Sequence, residues 1–312
     1  MSDSDKLLRS APNQEPAPAL RGATRLRESM RRYTSWRAGG IAERVYVPAD
    51  LPDLSLFLKQ LPRDEAVTFV GLGSNLLVRD GGLRGTVILT HGALKRIGIE
   101  TASLPQEIYA EAGVASPKVA RVAALHDLEG GEFLAGIPGT IGGALAMNAG
   151  CYGHETWECV SRVLMVARDG ALHLRTPREF LIGYRTVRSE RDEFFAAAWM
   201  RFEQGDRVRS LGRIRELLSR RVATQPLGEP NAGSVFRNPP GDYAARLIES
   251  CGLKGYRVGA AEVSRKHANF IVNTGSARAT DIESLIARVQ AEVAARHGVA
   301  LECEVRIIGE VT

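Results

Sequence analysis

Two glycine-rich stretches contain the residues whose type and spacing could do chemistry. The first is GLGSNLLVRDGG, from Gly71 to Gly82, and the second is GIPGTIGGALAMNAGCYG, from Gly136 to Gly153. Glycine lets the backbone adopt positive φ and approach a ligand closely, and successive exposed N–H groups form concave anion sites. The second stretch has six glycines in eighteen residues, more than tight turns require. The two stretches therefore indicate a large, phosphate-bearing ligand held mainly by main chain.

Several common catalytic and nucleotide-binding motifs are absent from the sequence. Gly71 and Gly73 begin like a dinucleotide-binding fingerprint, but Leu76 stands at the third glycine position. The sequence contains no GxxxxGK[ST], GxSxG or HExxH pattern. The ligand is therefore expected to be bound by another type of glycine-rich loop.

Composition predicts a cytoplasmic protein that binds an anionic small molecule. The 312 residues exceed one average domain, 44% are hydrophobic and 25% are charged, and the net charge is +5. No apolar run is long enough to cross a membrane, and the N-terminal residues lack the apolar core of a signal peptide. The cysteines form no CxxC pair, so reduced thiols and no metal site are predicted for Cys151, Cys159, Cys251 and Cys303.

The pattern of apolar residues predicts a lead-in followed by a small α/β unit. Residues 1–32 are polar and contain prolines, which is typical of a disordered segment. A helix is predicted over 50–61 from apolar residues at helical spacing, with Asp50 as its cap. Together with strands predicted at 44–48, 66–70, 76–78 and 86–89, this helix places the first unit at residues 33–94.

Two further units follow in the predicted organisation. The second covers 95–205, with a helix at 117–126 and strands at 108–112, 163–167, 172–174 and 196–202. The third covers 206–312 as an α+β unit, with helices at 207–222, 242–251 and 279–297 and strands at 270–272 and 305–308. The arginines of the helix at 207–222 are interpreted as a solvated face.

Six segments together resemble the UDP-N-acetylenolpyruvoylglucosamine reductase (MurB) family of flavoenzymes. Besides the two glycine-rich stretches they are YTSWRAGG at 33–40, AGSVFRNP at 232–239, VSRKHANFIVN at 263–273 and LECEVRIIG at 301–309. The resemblance implies an α+β fold with two α/β FAD-binding subdomains of the vanillyl-alcohol-oxidase type and a C-terminal α+β substrate domain. The compact spacing is similar to that of the shorter members, which lack a tyrosine-loop insert.

The resemblance also implies an activity, a cofactor and partners. The family uses NADPH to reduce noncovalent FAD, and then transfers hydride to the enolpyruvyl ether of UDP-N-acetylglucosamine enolpyruvate. The product is UDP-N-acetylmuramate, a precursor of peptidoglycan. The expected partners are therefore this small-molecule substrate and NADPH, with no nucleic acid and no membrane.

Three residues at family positions are implied as catalytic: Arg185, Ser234 and Glu304. A guanidinium can hold a carboxylate through two parallel hydrogen bonds, a well-placed hydroxyl can protonate a strongly basic enolate, and a carboxyl group can assist. The residues alone favour a surface or structural arginine at Arg185 and an edge-strand charge at Glu304, and Ser234 has the alternative of a turn residue before a strand.

The remaining implied site residues belong to the cofactor and to the sugar nucleotide. FAD contacts are expected at Gly71, Gly73, Ser74, Asn75, Leu76, Gly139, Thr140, Gly142, Gly143 and Asn148. Substrate contacts are expected at Asn238, Lys266 and His267.

Two other functions fit parts of the sequence. A related FAD oxidase would use oxygen, not NADPH with an enolpyruvyl sugar nucleotide, and the GSVFRNP and ECEVRIIG segments argue against it. A nucleic-acid-binding protein using the arginines between 207 and 221 would lack a yellow cofactor and would bind DNA with a steep salt dependence.

Overall fold

The structure, a computed structural model, describes residues 19–100 and 107–311. Its first part is a small α/β unit with one helix and five strands. They are β1 (Ala23–Ser29), β2 (Ile41–Val47), α1 (Leu51–Gln60), β3 (Val67–Val70), β4 (Leu76–Val78) and β5 (Leu83–Leu89). Strands β1, β2, β5 and β3 form one sheet in that order. In this sheet β5 pairs in parallel with β2 and β3, whereas β1 is an antiparallel edge strand.

Ordered structure begins before Tyr33, so the prediction of a disordered lead-in is wrong for its last residues. Strand β1 pairs with β2 along its length, from Ala23 opposite Val47 to Ser29 opposite Ile41. The strand is exposed and rich in charged residues, so its sequence lacks the apolar alternation of a half-buried strand. Residues 1–18 of the predicted lead-in lie outside the described residues.

The second part contains a five-stranded sheet covered by helices. Its elements are β6 (Ile97–Glu100), β7 (Glu107–Glu111), α2 (Ser116–Leu125), β8 (Leu128–Glu129), α3 (Ile141–Met147), β9 (Gly150–Cys151), β10 (His154–Glu155), β11 (Val160–Ala167), β12 (Leu172–Arg175), β13 (Leu181–Gly183), β14 (Thr186–Arg188), β15 (Glu193–Arg201) and β16 (Glu203–Gln204). The sheet order is β12-β11-β15-β7-β6, with antiparallel pairing throughout. One face packs on α2 and α3, and the other packs on α1 of the first unit.

The third part is α+β, and its residues after 230 form an apolar core together with Trp36 and Leu77 of the first part. Its first helix instead packs on α2 of the second part. Its elements are α4 (Arg207–Thr224), α5 (Ala244–Ser250), β17 (Arg257–Val258), β18 (Ala261–Val263), β19 (Ile271–Asn273), α6 (Ala279–His297) and β20 (Arg306–Ile308). Apolar residues of α5 and α6 pack on the β17-β18-β19 sheet. Short 3-10 helices elsewhere in the chain cover Met30–Arg32, Glu132–Gly136, Thr156–Glu158 and Pro177–Glu179.

Contacts between distant segments fix the third part against the first glycine-rich stretch. Strand β20 pairs in parallel with β4, which belongs to that stretch. The Asp80 carboxylate accepts hydrogen bonds from the N–H groups of Ala279 and Thr280, and so caps the start of α6. The indole N–H of Trp36 donates to the Ile271 carbonyl at 2.7 Å. These contacts hold the C-terminal segments beside the glycine-rich loop.

Candidate functional site

The two glycine-rich stretches face each other across a cleft of about 460 Å³. Its size and mixed lining are typical of ligand-binding clefts. It is lined by Phe69, Val70, Gly71, Leu72, Gly73, Ser74, Asn75, Leu76, Gly136, Ile137, Pro138, Gly139, Thr140, Gly143, Ala144, Ala146, Met147, Ala149, Gly150, Cys151, Arg185, Arg221, Gln225, Ala232, Gly233, Ser234, Phe270, Glu304 and Arg306.

The first stretch presents free main-chain donors to this cleft. Gly73 has φ of +59°, and a Cβ there would lie 2.0 Å from the Tyr33 carbonyl oxygen, so only glycine fits. The Gly73 carbonyl in turn accepts the N–H of Ser35 at 3.1 Å. Within the described residues, the N–H groups from Gly71 to Asn75 have no backbone or side-chain acceptor. This turn therefore offers the arrangement of N–H groups that binds anions.

The second stretch approaches the first at Thr140. A Cβ on Gly71 would lie 2.2 Å from Thr140 Oγ1, and a Cβ on Gly139 would lie 3.2 Å from Ser74 Oγ. Thr140 is 1% exposed, and its hydroxyl has no hydrogen-bond partner in the described part of the chain. Because a buried hydroxyl without a partner is costly, this atom is a candidate contact for a polar ligand. The cleft thus fits a cofactor with phosphate and other polar groups.

Gly142 and Asn148 have structural roles in the second stretch. A Cβ on Gly142 would lie 2.9 Å from the Cβ of Ala112, so Gly142 permits close packing between α3 and the strand region. Asn148 has φ of +43°, is 2% exposed and ends α3 in the left-handed region that asparagine tolerates. Neither residue lines the cleft, although both are expected FAD contacts from the sequence.

Arg185 lies at the turn of the β13–β14 hairpin and forms an ion pair with Glu304. Its Nε donates to Glu304 Oε1 at 2.9 Å, and its Nη2 donates to the Gly150 carbonyl at 2.8 Å. Nη1 makes a longer bond of 3.4 Å to the Asn148 carbonyl. A guanidinium has five N–H groups, so two of them have no acceptor among the described residues. These two N–H groups, one on each Nη atom, can bind a carboxylate.

The electrostatic environment of Glu304 is unusual for a carboxyl group. Burial raises its pKa above the ordinary glutamate value, whereas the charge and hydrogen bond of Arg185 oppose this rise. Its backbone N–H donates to the Val235 carbonyl at 2.8 Å, and its carbonyl accepts the Asn75 side-chain amide at 3.1 Å. Glu304 is therefore fixed between the first glycine-rich stretch and the segment that contains Ser234.

Ser234 lies in a segment held by hydrogen bonds on both sides. The N–H of the preceding residue, Gly233, donates to Asn231 Oδ1 at 3.0 Å. The next residue, Val235, donates its N–H to the Asn269 carbonyl at 2.9 Å, and Phe236 forms an antiparallel bridge with Cys303. Gly233 has φ of +76°, and a Cβ there would have no atom within 4 Å. In the described part of the chain, the Ser234 hydroxyl has no hydrogen-bond partner, so it is available to a ligand in the cleft.

Two arginines and a glutamine that were not predicted as site residues also line the cleft: Arg221, Gln225 and Arg306. Arg221 lies on α4, and its Nε donates to Gln225 Oε1 at 2.7 Å. Burial lowers its pKa, so the interpretation of the α4 arginines as a solvated face is wrong for this residue. Arg306 donates its backbone N–H to the Asn75 carbonyl at 3.0 Å. Arg306 lies two residues after Glu304, and in an extended segment this spacing could have indicated that the two side chains share a face.

The three predicted substrate contacts lie outside the lining of the cleft. Asn238 accepts the N–H of Ala244 at the start of α5 through its side-chain oxygen at 3.1 Å. Lys266 donates to the Val222 carbonyl on α4 at 2.6 Å. His267 is half-buried against Phe270, and burial lowers its pKa.

Part of the positive charge on α4 is neutralised by ion pairs. Among α4 arginines, Arg209 pairs with Glu129 and Arg213 pairs with Glu216. None of the helices in residues 19–100 and 107–311 is long and apolar enough to cross a membrane.

Two family models together match most of the chain. Residues 42–174 match the model described as FAD binding domain. Residues 225–308 match the model described as UDP-N-acetylenolpyruvoylglucosamine reductase, C-terminal domain. The first match includes both glycine-rich stretches, and the second includes Ser234 and Glu304.

Curated relatives and a solved structure give the same family name. The chain is 58% identical to the UDP-N-acetylenolpyruvoylglucosamine reductase of Thiobacillus denitrificans, with 94% of both chains covered. It is 57% identical to the reductase of the same name from Alkalilimnicola ehrlichii, covering 93% of this chain and 96% of the relative. The crystal structure of this reductase (MurB) from Thermus caldophilus matches with a TM-score of 0.78 at 33% identity, covering 92% of this chain and 98% of that one.

Proposed function

The chain belongs to the UDP-N-acetylenolpyruvoylglucosamine reductase family, and we propose that Arg185, Glu304 and Ser234 carry the reduction step in its cleft. It is an FAD-dependent reductase that converts UDP-N-acetylglucosamine enolpyruvate to UDP-N-acetylmuramate, with NADPH as the hydride donor. Its α+β fold combines the FAD-binding subdomains with a C-terminal substrate domain, as the sequence predicts. One observation carries the proposal about the residues: all three line the same cleft as both glycine-rich stretches.

FAD is the cofactor that the cleft residues would hold. Free N–H groups from Gly71 to Asn75 suit its diphosphate, and the unpartnered Thr140 hydroxyl suits a further polar group. Leu76, Gly139 and Gly143 complete the expected contacts that line the cleft. When bound, FAD accepts hydride from NADPH and passes it to the methylene carbon of the enolpyruvyl group.

The Thr140→Val variant tests the fit between the cleft and the cofactor. Valine keeps the shape but removes a hydroxyl that has no protein partner, so the FAD dissociation constant should rise roughly threefold to tenfold. The melting temperature of the cofactor-free protein should not fall. Fluorescence titration with FAD measures the first quantity, and a thermal scan measures the second.

Ser116→Ala is the matched control for that experiment. Ser116 is also buried with an unpartnered hydroxyl, but it does not line the cleft. Its substitution should leave the FAD dissociation constant unchanged. Equal FAD affinity in Thr140→Val and the parent protein would show that the Thr140 hydroxyl does not bind the cofactor.

Arg185 and Glu304 suit the charge that develops on the substrate. Hydride addition to the methylene carbon places negative charge on the neighbouring carbon, and the carboxylate delocalises it as an enolate. The two free N–H groups of Arg185 can bind this carboxylate in parallel, and the guanidinium stays charged. The Glu304 carboxyl fixes the guanidinium through the 2.9 Å bond. Interactions that strengthen as this charge forms lower the barrier.

Ser234 suits the role of proton donor to the enolate carbon. Its hydroxyl has no partner within the described residues, and the N–H groups of Gly233 and Val235 on either side of it donate hydrogen bonds. An alcohol is a weak acid, but an enolate dianion is basic enough to accept its proton. Hydride and proton together saturate the double bond, which balances the reaction.

The two half-reactions provide the test of the proposed function. Denaturation of the purified yellow protein should release FAD and not FMN, because the cleft has donors for a diphosphate. In anaerobic rapid mixing, NADPH should bleach the flavin absorbance, and UDP-N-acetylglucosamine enolpyruvate should restore it. Reoxidation by oxygen at a rate equal to or above that with the enolpyruvyl substrate would instead favour the related oxidase.

The expected partners follow from this chemistry. The protein acts on a small-molecule substrate and NADPH. We propose that it works in the cytoplasm, without nucleic acid or a membrane as a partner. The pairing of α4 arginines with glutamates supports the absence of a nucleic-acid partner, since it reduces the free positive charge on that helix.

A further inference from the structure

The hairpin that carries Arg185 has little support of its own. Strands β13 and β14 form a separate two-stranded sheet, with Gly183 paired to Thr186 across the turn. Arg185 has φ of +53°, which is unfavourable for a non-glycine residue. An isolated hairpin is marginally stable in water, so contacts from outside must fix the orientation of the guanidinium.

Asn148 supplies such contacts from the end of α3. Its side-chain Nδ2 donates to the Gly183 carbonyl at 3.2 Å and to Glu155 Oε2 at 2.6 Å. Its Oδ1 accepts the N–H of Trp157 at 3.1 Å, and its backbone carbonyl accepts Arg185 Nη1. The buried amide thus links the hairpin, through Gly183, to the segment that contains Glu155 and Trp157.

Glu155 adds a second carboxylate to the same arrangement. While its Oε2 accepts the Asn148 amide, its Oε1 lies 4.0 Å from Arg185 Nη1. Glu304 accepts a hydrogen bond from a different nitrogen of the guanidinium, Nε. The two carboxylates therefore bracket the guanidinium, and neither takes the two N–H groups that remain free.

We propose that Asn148 and Glu155 form a clamp that positions Arg185 for the substrate carboxylate. The clamp rests on the proposed role of Arg185 but assigns new roles to two residues outside the lining of the cleft. It acts only through Arg185, so its loss should affect substrate reduction and spare cofactor reduction. A misplacement of about 1 Å can slow a reaction roughly a hundredfold.

Glu155→Ala and Glu155→Gln test the clamp. Glu155→Ala removes both the charge and the acceptor for Asn148, and it should slow flavin reoxidation by substrate by roughly tenfold to a hundredfold. Glu155→Gln keeps an acceptor for Asn148, so it should recover much of that rate. Flavin reduction by NADPH and the FAD dissociation constant should stay near the parent values in both. The melting temperature should stay near the parent value in Glu155→Gln and fall slightly in Glu155→Ala, because one N–H of the buried Asn148 amide loses its acceptor. The dissociation constant for the substrate, measured by calorimetry on oxidised enzyme, should rise in Glu155→Ala.

Glu158→Gln is the matched control. Glu158 is an exposed glutamate that pairs with His154 at 3.0 Å and does not line the cleft. Its substitution should leave both half-reactions at the parent rates. If Glu155→Ala reoxidises at the parent rate, or if both half-reactions fall together with the melting temperature, the clamp is wrong.

A parallel measurement on Arg185→Lys separates failure of the clamp from failure of the proposed function. If Arg185→Lys slows reoxidation by substrate but Glu155→Ala does not, only the clamp is overturned. If Arg185→Lys also reoxidises at the parent rate, the proposed role of Arg185 fails, and the clamp fails with it. Because the clamp acts through Arg185, adding Glu155→Ala to Arg185→Lys should slow the reaction by less than the product of the two separate effects.

Discussion

Ser234→Ala should slow the reoxidation of reduced flavin by the enolpyruvyl substrate at least about a hundredfold, which is typical of losing a positioned proton donor. FAD binding and flavin reduction by NADPH should remain near the parent values, because neither needs the hydroxyl. The two half-reactions should respond differently because the substitution removes only the hydroxyl. The main chain around Ser234 is held through Val235 and Phe236, so removal of Oγ should not shift the segment. Anaerobic rapid mixing of each half-reaction measures both effects.

Ser234→Cys distinguishes a proton donor from a turn residue. A thiol can also donate a proton, so this variant should recover part of the rate lost in Ser234→Ala. If Ser234→Ala instead lowers the melting temperature and turns over at the parent rate, the serine only stabilises the turn. Glu304 would then be the first alternative donor, because burial raises its pKa and favours its protonated form.

The sequence predicts elements well where periodicity and end signals agree. The predicted helix at 279–297 has the same bounds as α6, because apolar residues recur at helical spacing up to Gly298. Gly298 has φ of +67° and ends the helix in the left-handed region. The bounds of α1 differ by one residue at each end from the predicted 50–61, and Asp50 caps it through the N–H of Asp53.

Elements that depend on distant partners were not predictable in the same way. Helix α3 lies within the second glycine-rich stretch, where glycine disfavours a helix, and packing such as that of Gly142 on Ala112 overrides this preference. The pairing of β20 with β4 joins residues that are far apart in the sequence, and no local pattern specifies it. This pairing brings Glu304 to the glycine-rich loop.

The candidate site also combines residues that the local sequence indicates with residues that depend on tertiary structure. Motif resemblance identifies Arg185, Ser234 and Glu304, and the structure brings all three to one cleft. It does not identify Arg221, because an arginine among many on an amphipathic helix has no local signal of burial. The side-chain bonds of Asn148 to Glu155 and Gly183 also depend on tertiary structure, and the motif alone suggested a cofactor contact.

Arg185→Lys should slow reoxidation by substrate roughly tenfold to a hundredfold, the cost expected for a lost charge-assisted hydrogen bond, while flavin reduction by NADPH changes little. Lysine keeps the positive charge but is a point charge without the planar fork. Its ammonium cannot replace the bonds of Nε to Glu304 and Nη2 to Gly150 and still offer two parallel donors to a carboxylate. Rapid mixing of the two half-reactions measures this split, and an equal loss in both would mean that Arg185 supports the cleft as a whole.

Arg185→Gln completes this experiment by removing the charge. The pKa of Glu304 is raised by burial, and the charge and hydrogen bond of Arg185 hold it down. Loss of the guanidinium charge should therefore raise this pKa further, whereas Arg185→Lys should change it less. Any limb of the pH–rate profile for the substrate half-reaction that reports Glu304 should move to higher pH in Arg185→Gln. A limb at the same pH in the parent protein and both variants would show that the Arg185–Glu304 pair does not control the titration.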